Sequence, residues 1–135
     1  MTARRPERAI GGLRHVALYV RKLEQCERFY VELLGMSVEW RPDADNVYLC
    51  SGTDNLALHR ARPGFAPDGD QRLDHIGFIV RDMADVDVWH QFFVAQDVAI
   101  RAAPRTHRDG ARSFYCEDPD GNVVQMIHHP PIAGR

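Results

Sequence analysis

Two histidines occupy equivalent places in two similar stretches of the sequence, sixty residues apart. The first stretch, LRHVALYVRKLEQCERFY, contains His15, and the second, LDHIGFIVRDMADVDVWH, contains His75. Neutral imidazole is the most common protein ligand for transition metals such as zinc, iron and nickel. Two equivalent strands related by a twofold axis can bring their histidines together as the start of a metal site. Each histidine could instead be a hydrogen-bonded residue on a half-exposed strand.

The repeat predicts a duplicated fold. In each copy a short run rich in β-branched and aromatic residues precedes a segment whose apolar residues recur every three or four positions. The run is typical of a strand and the segment of a helix. Further strand-like segments follow: SVEW, NVYLC and LALHR in the first copy, and VAIR, RSFYC and VVQMI in the second. The predicted unit is therefore β-α-β-β-β, used twice, in an α+β fold.

The predicted helices also carry end signals. Gly35 follows the apolar series of the first helix, where a left-handed C-cap is expected, and Asp82 precedes the second helix as an N-cap. Later in the chain, EDPDGN at 117–122 predicts a tight turn, and 103–113 a polar loop that is longer than its counterpart RPDAD in the first copy. The predicted boundaries are an N-terminal tail 1–12, a first module 13–60, a linker 61–72, a second module 73–128 and a C-terminal tail 129–135.

Composition narrows the class of protein. The chain has 135 residues, of which 44% are hydrophobic and 27% charged, as expected of one compact domain. The net charge is -2 and the arginines are scattered, which argues against nucleic acid or a membrane surface as partner. No spanning or secretory segment is evident, so we expect a cytoplasmic protein. The odd number of cysteines predicts reduced, buried thiols, with a catalytic thiol at Cys116 as the alternative.

Strand alternation predicts which way the two histidines point. Val16, Leu18 and Val20 form a branched aliphatic row that should pack on the first helix. His15 then lies on the opposite face, and the same count places His75 on the opposite face of its own strand. Small residues beside them, Ala17 and Gly77, leave room for a cavity.

The paired modules, the strand histidines and the segment RSFYCEDPDGNVVQMI resemble the vicinal oxygen chelate superfamily, over about residues 13–128. This superfamily contains glyoxalase I, extradiol dioxygenases, fosfomycin-resistance enzymes and bleomycin-resistance proteins. The resemblance implies two βαβββ modules forming a curved mixed sheet around a central cleft, with helices on the outer face. It also implies a divalent metal ion in the cleft (Fe, Zn, Mn, Ni or Co), which binds a small substrate through two adjacent oxygens.

By position, the resemblance implies His15, His75 and Gln125 as metal ligands. The superfamily usually has glutamate where this chain has Gln125, and the fourth position is Ala57, which cannot bind a metal. His59 lies two residues further on the same strand face and could substitute only if the backbone shifts. A neutral ligand set holds a divalent ion less tightly and leaves it more electrophilic.

The missing carboxylates argue against a conventional glyoxalase I, in which a metal-bound carboxylate shuttles a proton. We therefore expect a metal-dependent lyase-like or dioxygenase-like enzyme, with Tyr115 and His107 as candidate acid, base or hydrogen-bond donor. Addition of a thiol or water to an epoxide, as in fosfomycin-resistance enzymes, is a lesser option.

A metal-free binding protein is the main alternative. Bleomycin-resistance proteins sequester drugs in a cleft between paired subunits, and Trp40, Tyr19, Tyr48 and Phe65 could supply stacking surface for such a ligand. For either function we expect a small-molecule ligand and a homodimer. The metal site could lie within one chain or combine His15 of one chain with His75 and Gln125 of the other.

Overall fold

The computed structural model describes residues 3–67 and 69–134. The remaining residues, Met1, Thr2, Asp68 and Arg135, belong to the two predicted tails and the predicted linker and lie outside the described ranges.

Each half of the chain folds as β-α-β-β-β, as predicted. The first module consists of β1 (His15–Val20), α1 (Leu23–Arg28), which continues into a π-helical turn (Phe29–Leu33), β2 (Ser37–Asp43), β3 (Asn46–Cys50) and β4 (Asn55–Arg60). The second consists of β5 (Ile76–Ile79), α2 (Met83–Ala95), β6 (Ile100–Thr106), β7 (Arg112–Glu117) and β8 (Val123–His128). The α+β fold of two βαβββ modules is therefore confirmed.

Hydrogen bonds divide the strands into two four-stranded mixed sheets. The strand orders are β1-β4-β3-β2 and β5-β8-β7-β6. In each sheet the first strand pairs in parallel with the last, and the other pairs are antiparallel. This parallel pairing places the beginning of β1 beside β4 and the beginning of β5 beside β8, where the candidate ligands lie.

The end signals of the helices are confirmed. Gly35 follows the π-helical turn with a φ of 84°, a left-handed conformation that glycine adopts without a steric penalty. Asp82 precedes α2, and its Oδ1 accepts a hydrogen bond from the backbone N–H of Ala84 at 3.1 Å. Local sequence chemistry thus determines both boundaries.

The predicted polar loops are shorter than expected. Residues 103–106 belong to β6 and residues 112–113 to β7, so the loop predicted at 103–113 is mostly strand; β2 likewise extends through Asp43 into RPDAD. Both extended strands contain a proline, Pro42 or Pro104, beside a shift in register. Each is an edge strand, where a missing N–H costs no ladder hydrogen bond. Proline therefore does not end these strands.

The helix-bearing sides of the two modules share one hydrophobic core. Phe29, after α1, and Phe93 of α2 have ring centroids 5.8 Å apart, and Tyr30 lies 6.1 Å from Phe78 of β5. Leu18 and Val20 point into this core, as strand alternation predicts. The other face of each sheet, with His15 in one module and Gln125 in the other, is free of helix.

A turn of the second module also caps the helix of the first. Oδ1 of Asp120 accepts hydrogen bonds from the backbone N–H groups of Arg21 and Lys22, each at 2.9 Å. These residues immediately precede α1, and lysine has no side-chain acceptor with which to cap its own helix. The fully buried Tyr30 hydroxyl donates to Oδ2 of Asp118 at 2.7 Å. The predicted EDPDGN turn therefore joins the modules as well as connecting β7 to β8.

Asp118 is buried, and burial and hydrogen bonding act on the pKa of its carboxyl group in opposite directions. Burial raises the pKa of this carboxyl, whereas hydrogen bonds from Tyr30 and Asn122 act to lower that pKa. Backbone N–H groups of Asp120 and Asn122 also donate to Oδ1. The turn is therefore organised around this carboxyl group.

Two of the three thiols lie in the core. Cys26 and Cys116 are fully buried, and burial raises the pKa of Cys116 to about 12 and that of Cys26 still further. Cys50 is half-buried. The burial of Cys116 in the core, away from the open face, argues against the catalytic thiol considered for this position. No helix in the described ranges is long and apolar enough to cross a membrane.

Replacement of Asp120 tests the connection between the modules. We expect Asp120→Ala to lower the free energy of unfolding by about 1–2 kcal/mol, because two N–H groups at the start of α1 lose their acceptor. Urea denaturation followed by circular dichroism measures this loss. Asp70→Ala, in the exposed linker, is the matched control and should change stability by less than about 0.5 kcal/mol. Equal stability of the two variants would contradict the cap.

Burial of the thiols predicts selective labelling. In the folded protein only Cys50 should react promptly with a small aromatic disulfide reagent at neutral pH, because the thiolate is the reactive form and the other two thiols hold their protons. Spectrophotometry should count one fast thiol, and none in Cys50→Ser. Denaturant should expose all three. Rapid labelling of Cys116 in the native state would contradict the structure.

Candidate functional site

Gln125 lies at the centre of the open face of the second module. The register places it between Gly77 of β5 and Tyr115 of β7. The side chain is only 7% exposed, and its Nε2 donates to the hydroxyls of Ser113 and Tyr115, each at 3.0 Å. Both N–H bonds of the amide are therefore used, and the carbonyl Oε1 remains as the free acceptor. A Cβ atom at Gly77 would lie 3.8 Å from Oε1, so glycine keeps the space beside this oxygen open.

His75 lies next to this amide, one residue before β5. Its ring meets the Tyr115 ring edge to face, with centroids 5.2 Å apart. Nδ1 is 2.6 Å from Oδ2 of Asp74. Because a carboxylate oxygen can only accept, Nδ1 carries the hydrogen and Nε2 keeps its lone pair.

His15 begins β1 and shows the same arrangement in the first module. The parallel register pairs it with Asn55 of β4, and its Nδ1 lies 2.7 Å from Oδ1 of that amide. Nδ2 of Asn55 donates to Glu39 at 3.4 Å, which turns the amide oxygen toward the imidazole. Nε2 of His15 therefore also keeps its lone pair, on an exposed ring. In the described part of the chain, neither His15 nor His75 has a hydrogen bond at Nε2.

Ala57 and His59 lie further along the open face of the first module. Ala57 pairs with Ala17 and Tyr48 and is fully buried. Nδ1 of His59 lies 2.6 Å from Oδ1 of Asn46, and its ring is about equally far from Tyr19 and Tyr48, at 6.1 and 5.9 Å. His59 is thus part of an aromatic cluster, two positions from the place where a fourth ligand is missing.

This cluster forms what we call the aromatic platform, made of Trp40, Tyr48, His59, Tyr19 and Phe65. Trp40 stacks on Tyr48 with centroids 5.2 Å apart and planes 21° from parallel. Tyr19 is 64% exposed and Trp40 59% exposed, and Tyr19 is 6.1 Å from Phe65 of the linker. Large aromatic faces are therefore presented to solvent.

A crevice lies between the modules and contains only one of the three predicted ligands, His15, whereas Gln125 lines a separate cavity with Tyr115. The volume of the crevice is about 140 Å³, and its lining includes His15 and Asn55 from the first module and Ile76 and Gly77 from the second. Within residues 3–67 and 69–134, no cluster of three or more His, Cys, Asp or Glu side chains is suited to a metal ion. The predicted donor set, two imidazoles and one amide oxygen, is neutral and would hold a transition metal weakly.

His107 joins the same polar network from the β6–β7 hairpin. Its Nε2 lies 2.8 Å from Oγ of Ser113, the hydroxyl that also accepts from Gln125. Of the two residues predicted as acid, base or donor, Tyr115 contacts Gln125 directly and His107 is linked to it through Ser113.

Three residues that support these side chains, Asp74, Asn55 and Ser113, were not predicted from the sequence. Asp74 was detectable, because a carboxylate directly before a candidate ligand histidine is a common orienting partner. Asn55 is forty residues from His15, and Ser113 twelve from Gln125, so only strand register reveals their roles.

Known proteins with a similar sequence or fold belong to one superfamily. A family model described as the Glyoxalase/Bleomycin resistance protein/Dioxygenase superfamily matches residues 12–126. A lactoylglutathione lyase from Agrobacterium tumefaciens is 24% identical, with a TM-score of 0.73 over 90% of this chain and 96% of that one. A glyoxalase/bleomycin resistance protein/dioxygenase from Alicyclobacillus acidocaldarius is 20% identical, with a TM-score of 0.69 over 89% and 92%. At these identities the structural matches show the fold alone.

Proposed function

Since the chain belongs to the Glyoxalase/Bleomycin resistance protein/Dioxygenase superfamily, we propose that it is a divalent-metal-dependent enzyme acting on a small substrate with two adjacent oxygens. The chemistry is lyase-like or dioxygenase-like, and the metal ligands are His15, His75 and Gln125. The observation that carries this proposal is a hydrogen bond of the same kind at each histidine. In both, an oxygen acceptor holds Nδ1, from Asn55 at His15 and from Asp74 at His75.

This hydrogen bonding suits metal binding in two ways. It selects the tautomer whose Nε2 lone pair is available, and it holds the plane of each ring. Asn55 and Asp74 are the positioning residues. Asp74 holds the Nδ1 hydrogen of His75 through its carboxylate, as Asn55 does for His15 through its amide oxygen.

Gln125 supplies a neutral oxygen. Its amide is held by Ser113 and Tyr115, so Oε1 points away from both hydroxyls. Three protein ligands leave coordination positions for a chelating substrate, and a divalent ion bound there would polarise the two substrate oxygens. The chain offers no carboxylate at 57 or 125 to shuttle a proton, which argues against a glyoxalase I type of isomerisation.

Tyr115 is suited to donate a proton or hydrogen bond to the substrate. Its oxygen accepts from Nε2 of Gln125, so its own hydrogen is free to point toward the cavity. His107 is one hydroxyl further away, through Ser113. We assign Tyr115 the direct role and His107 the role of a nearby acid or base.

The aromatic platform favours a second candidate function, a metal-free binding protein for a flat aromatic drug or metabolite. Stacking of Trp40 on Tyr48 and the exposure of Tyr19 present a surface on which an aromatic ring could pack. In this function the protein would act as a homodimer, and the histidines would serve only as polar groups of the cleft.

Metal content tests the first proposal. Metal-free protein incubated in turn with Fe(II), Zn(II), Mn(II), Ni(II) or Co(II) and then desalted should retain about one ion per chain, measured by plasma mass spectrometry. His15→Ala and His75→Ala should each abolish retention, whereas His90→Ala, on α2, should retain it. If no metal is held above background, or if both ligand variants hold as much as the unchanged chain, the metal proposal fails.

Gln125→Glu should bind a divalent ion more tightly than the unchanged chain. A carboxylate adds a full charge at contact distance, which is worth at least about 1.4 kcal/mol, or tenfold in Kd. The change should be tolerated, because the partners of residue 125 are hydroxyls that can donate to a carboxylate as readily as they accept from an amide. Calorimetry measures both affinities; equal or weaker binding by the variant would remove residue 125 from the ligand set.

Tryptophan fluorescence tests the second candidate. With a chelator present, metal-free bleomycin should quench the emission saturably if the aromatic platform is a drug site. Trp40→Phe should remove this quenching, and Trp89→Phe, which alters a half-buried helix residue, should keep it. Absence of quenching would argue against a site for this drug class.

A further inference from the structure

A cavity of about 560 Å³ opens on the face of the second module beside the proposed metal ligand Gln125. Tyr115, Gln125 and Ile127 form its floor, and Arg105 and Arg108 lie on its rim in the β6–β7 hairpin. Two cationic side chains thus flank the groups to which the proposed function assigns the substrate.

The hairpin geometry explains why the arginines lie there. Arg105 pairs across the strands with Ser113, whose side chain is on the open face and bonds to Gln125. The hairpin closes with a hydrogen bond from the His107 N–H to the Ala111 carbonyl at 2.7 Å. Arg108 follows within this turn, so both guanidinium groups belong to one short, hydrogen-bonded segment.

Within residues 3–67 and 69–134, no ion pair neutralises the charge of these arginines. Arg112, also in the hairpin, makes two hydrogen bonds of 2.8 Å to Asp87, and other exposed arginines form similar pairs. Arg105 and Arg108, by contrast, form no ion pair with any residue in the described ranges. The lining of the cavity includes one carboxylate, Asp109, whose Oδ1 accepts from the Ala111 N–H. The cavity therefore has an excess of positive charge.

Guanidinium groups bind flat or tetrahedral oxyanions through parallel N–H donors, which makes arginine suited to carboxylate and phosphate. We propose that Arg105 and Arg108 form an oxyanion subsite, and that the substrate of this protein carries a carboxylate or phosphate in addition to its two adjacent oxygens. This inference rests on the proposed function for its link to the metal site. The anion would be held at the hairpin while the oxygens reach toward Gln125 and Tyr115.

Hydrogen-bonding side chains connect the subsite to the amide of Gln125. Nε and Nη2 of Arg105 are each 3.4 Å from Nδ1 of His107, whose Nε2 lies near the Ser113 hydroxyl. Ser113 in turn holds Gln125. An anion at Arg105 would therefore lie at one end of a polar chain that ends at the proposed metal ligand.

Titration of the metal-free, ¹⁵N-labelled chain with inorganic phosphate and, separately, with benzoate tests the subsite in low-salt buffer. Saturable shifts should appear at the amides of residues 105–111. The double variant R105Q/R108Q should weaken binding by at least about tenfold, as expected when charge-assisted hydrogen bonds are lost. Arg72→Gln, an exposed arginine of the linker, should bind as the unchanged chain does. Shifts with phosphate alone or benzoate alone would identify which oxyanion the site accepts.

Two results would overturn the inference: no shift at 105–111 with either anion, or shifts of equal affinity in R105Q/R108Q. Well-dispersed spectra of the double variant establish that it is folded. Metal retention by the same variants separates this inference from the proposed function. R105Q/R108Q should keep its metal, and His15→Ala should keep its anion binding, so that either property can fail alone.

Discussion

The whole arrangement depends on one contact between the modules, in which a turn of the second module caps and anchors the helix of the first. Asp120 accepts the N–H groups that precede α1, and Asp118 accepts the hydroxyl of the buried Tyr30. Buried polar groups are costly when unpaired, so the two modules cannot separate or slide without leaving these donors unsatisfied. Together with the aromatic contacts between the helices, the contact determines how the open faces are disposed.

The candidate site combines rigid supports with adaptable hydrogen bonding. Each imidazole is held at Nδ1 by a fixed acceptor, whereas Gln125 is held by two hydroxyls whose hydrogens can rotate. The first feature selects one tautomer and one orientation. The second allows the amide of Gln125 to be buried without an unsatisfied N–H group. The proposed neutral ligand set is therefore consistent with the packing around Gln125.

Duplication has left two modules that are alike in backbone and different in surface. The open face of the first is aromatic, with Trp40 stacked on Tyr48, and that of the second is polar and cationic, with Arg105 beside Gln125. A ligand bound across both would meet stacking surface from one module and oxyanion contacts from the other.

Local chemistry let the sequence predict much of this protein. The sixty-residue repeat predicted the two modules, alternation placed Leu18 and Val20 in the core and His15 opposite them, and Gly35 and Asp82 marked helix ends, because each of these signals is contained within a few neighbouring residues. The sequence could not predict contacts between distant segments. The pairing of His15 with Asn55 depends on strand register. The extension of β2 and β6 through their prolines depends on which strands form sheet edges, and the capping of α1 by Asp120 depends on how the two modules dock. Only the tertiary structure decides these, because periodicity records which face a residue occupies and not which distant residue it will meet there.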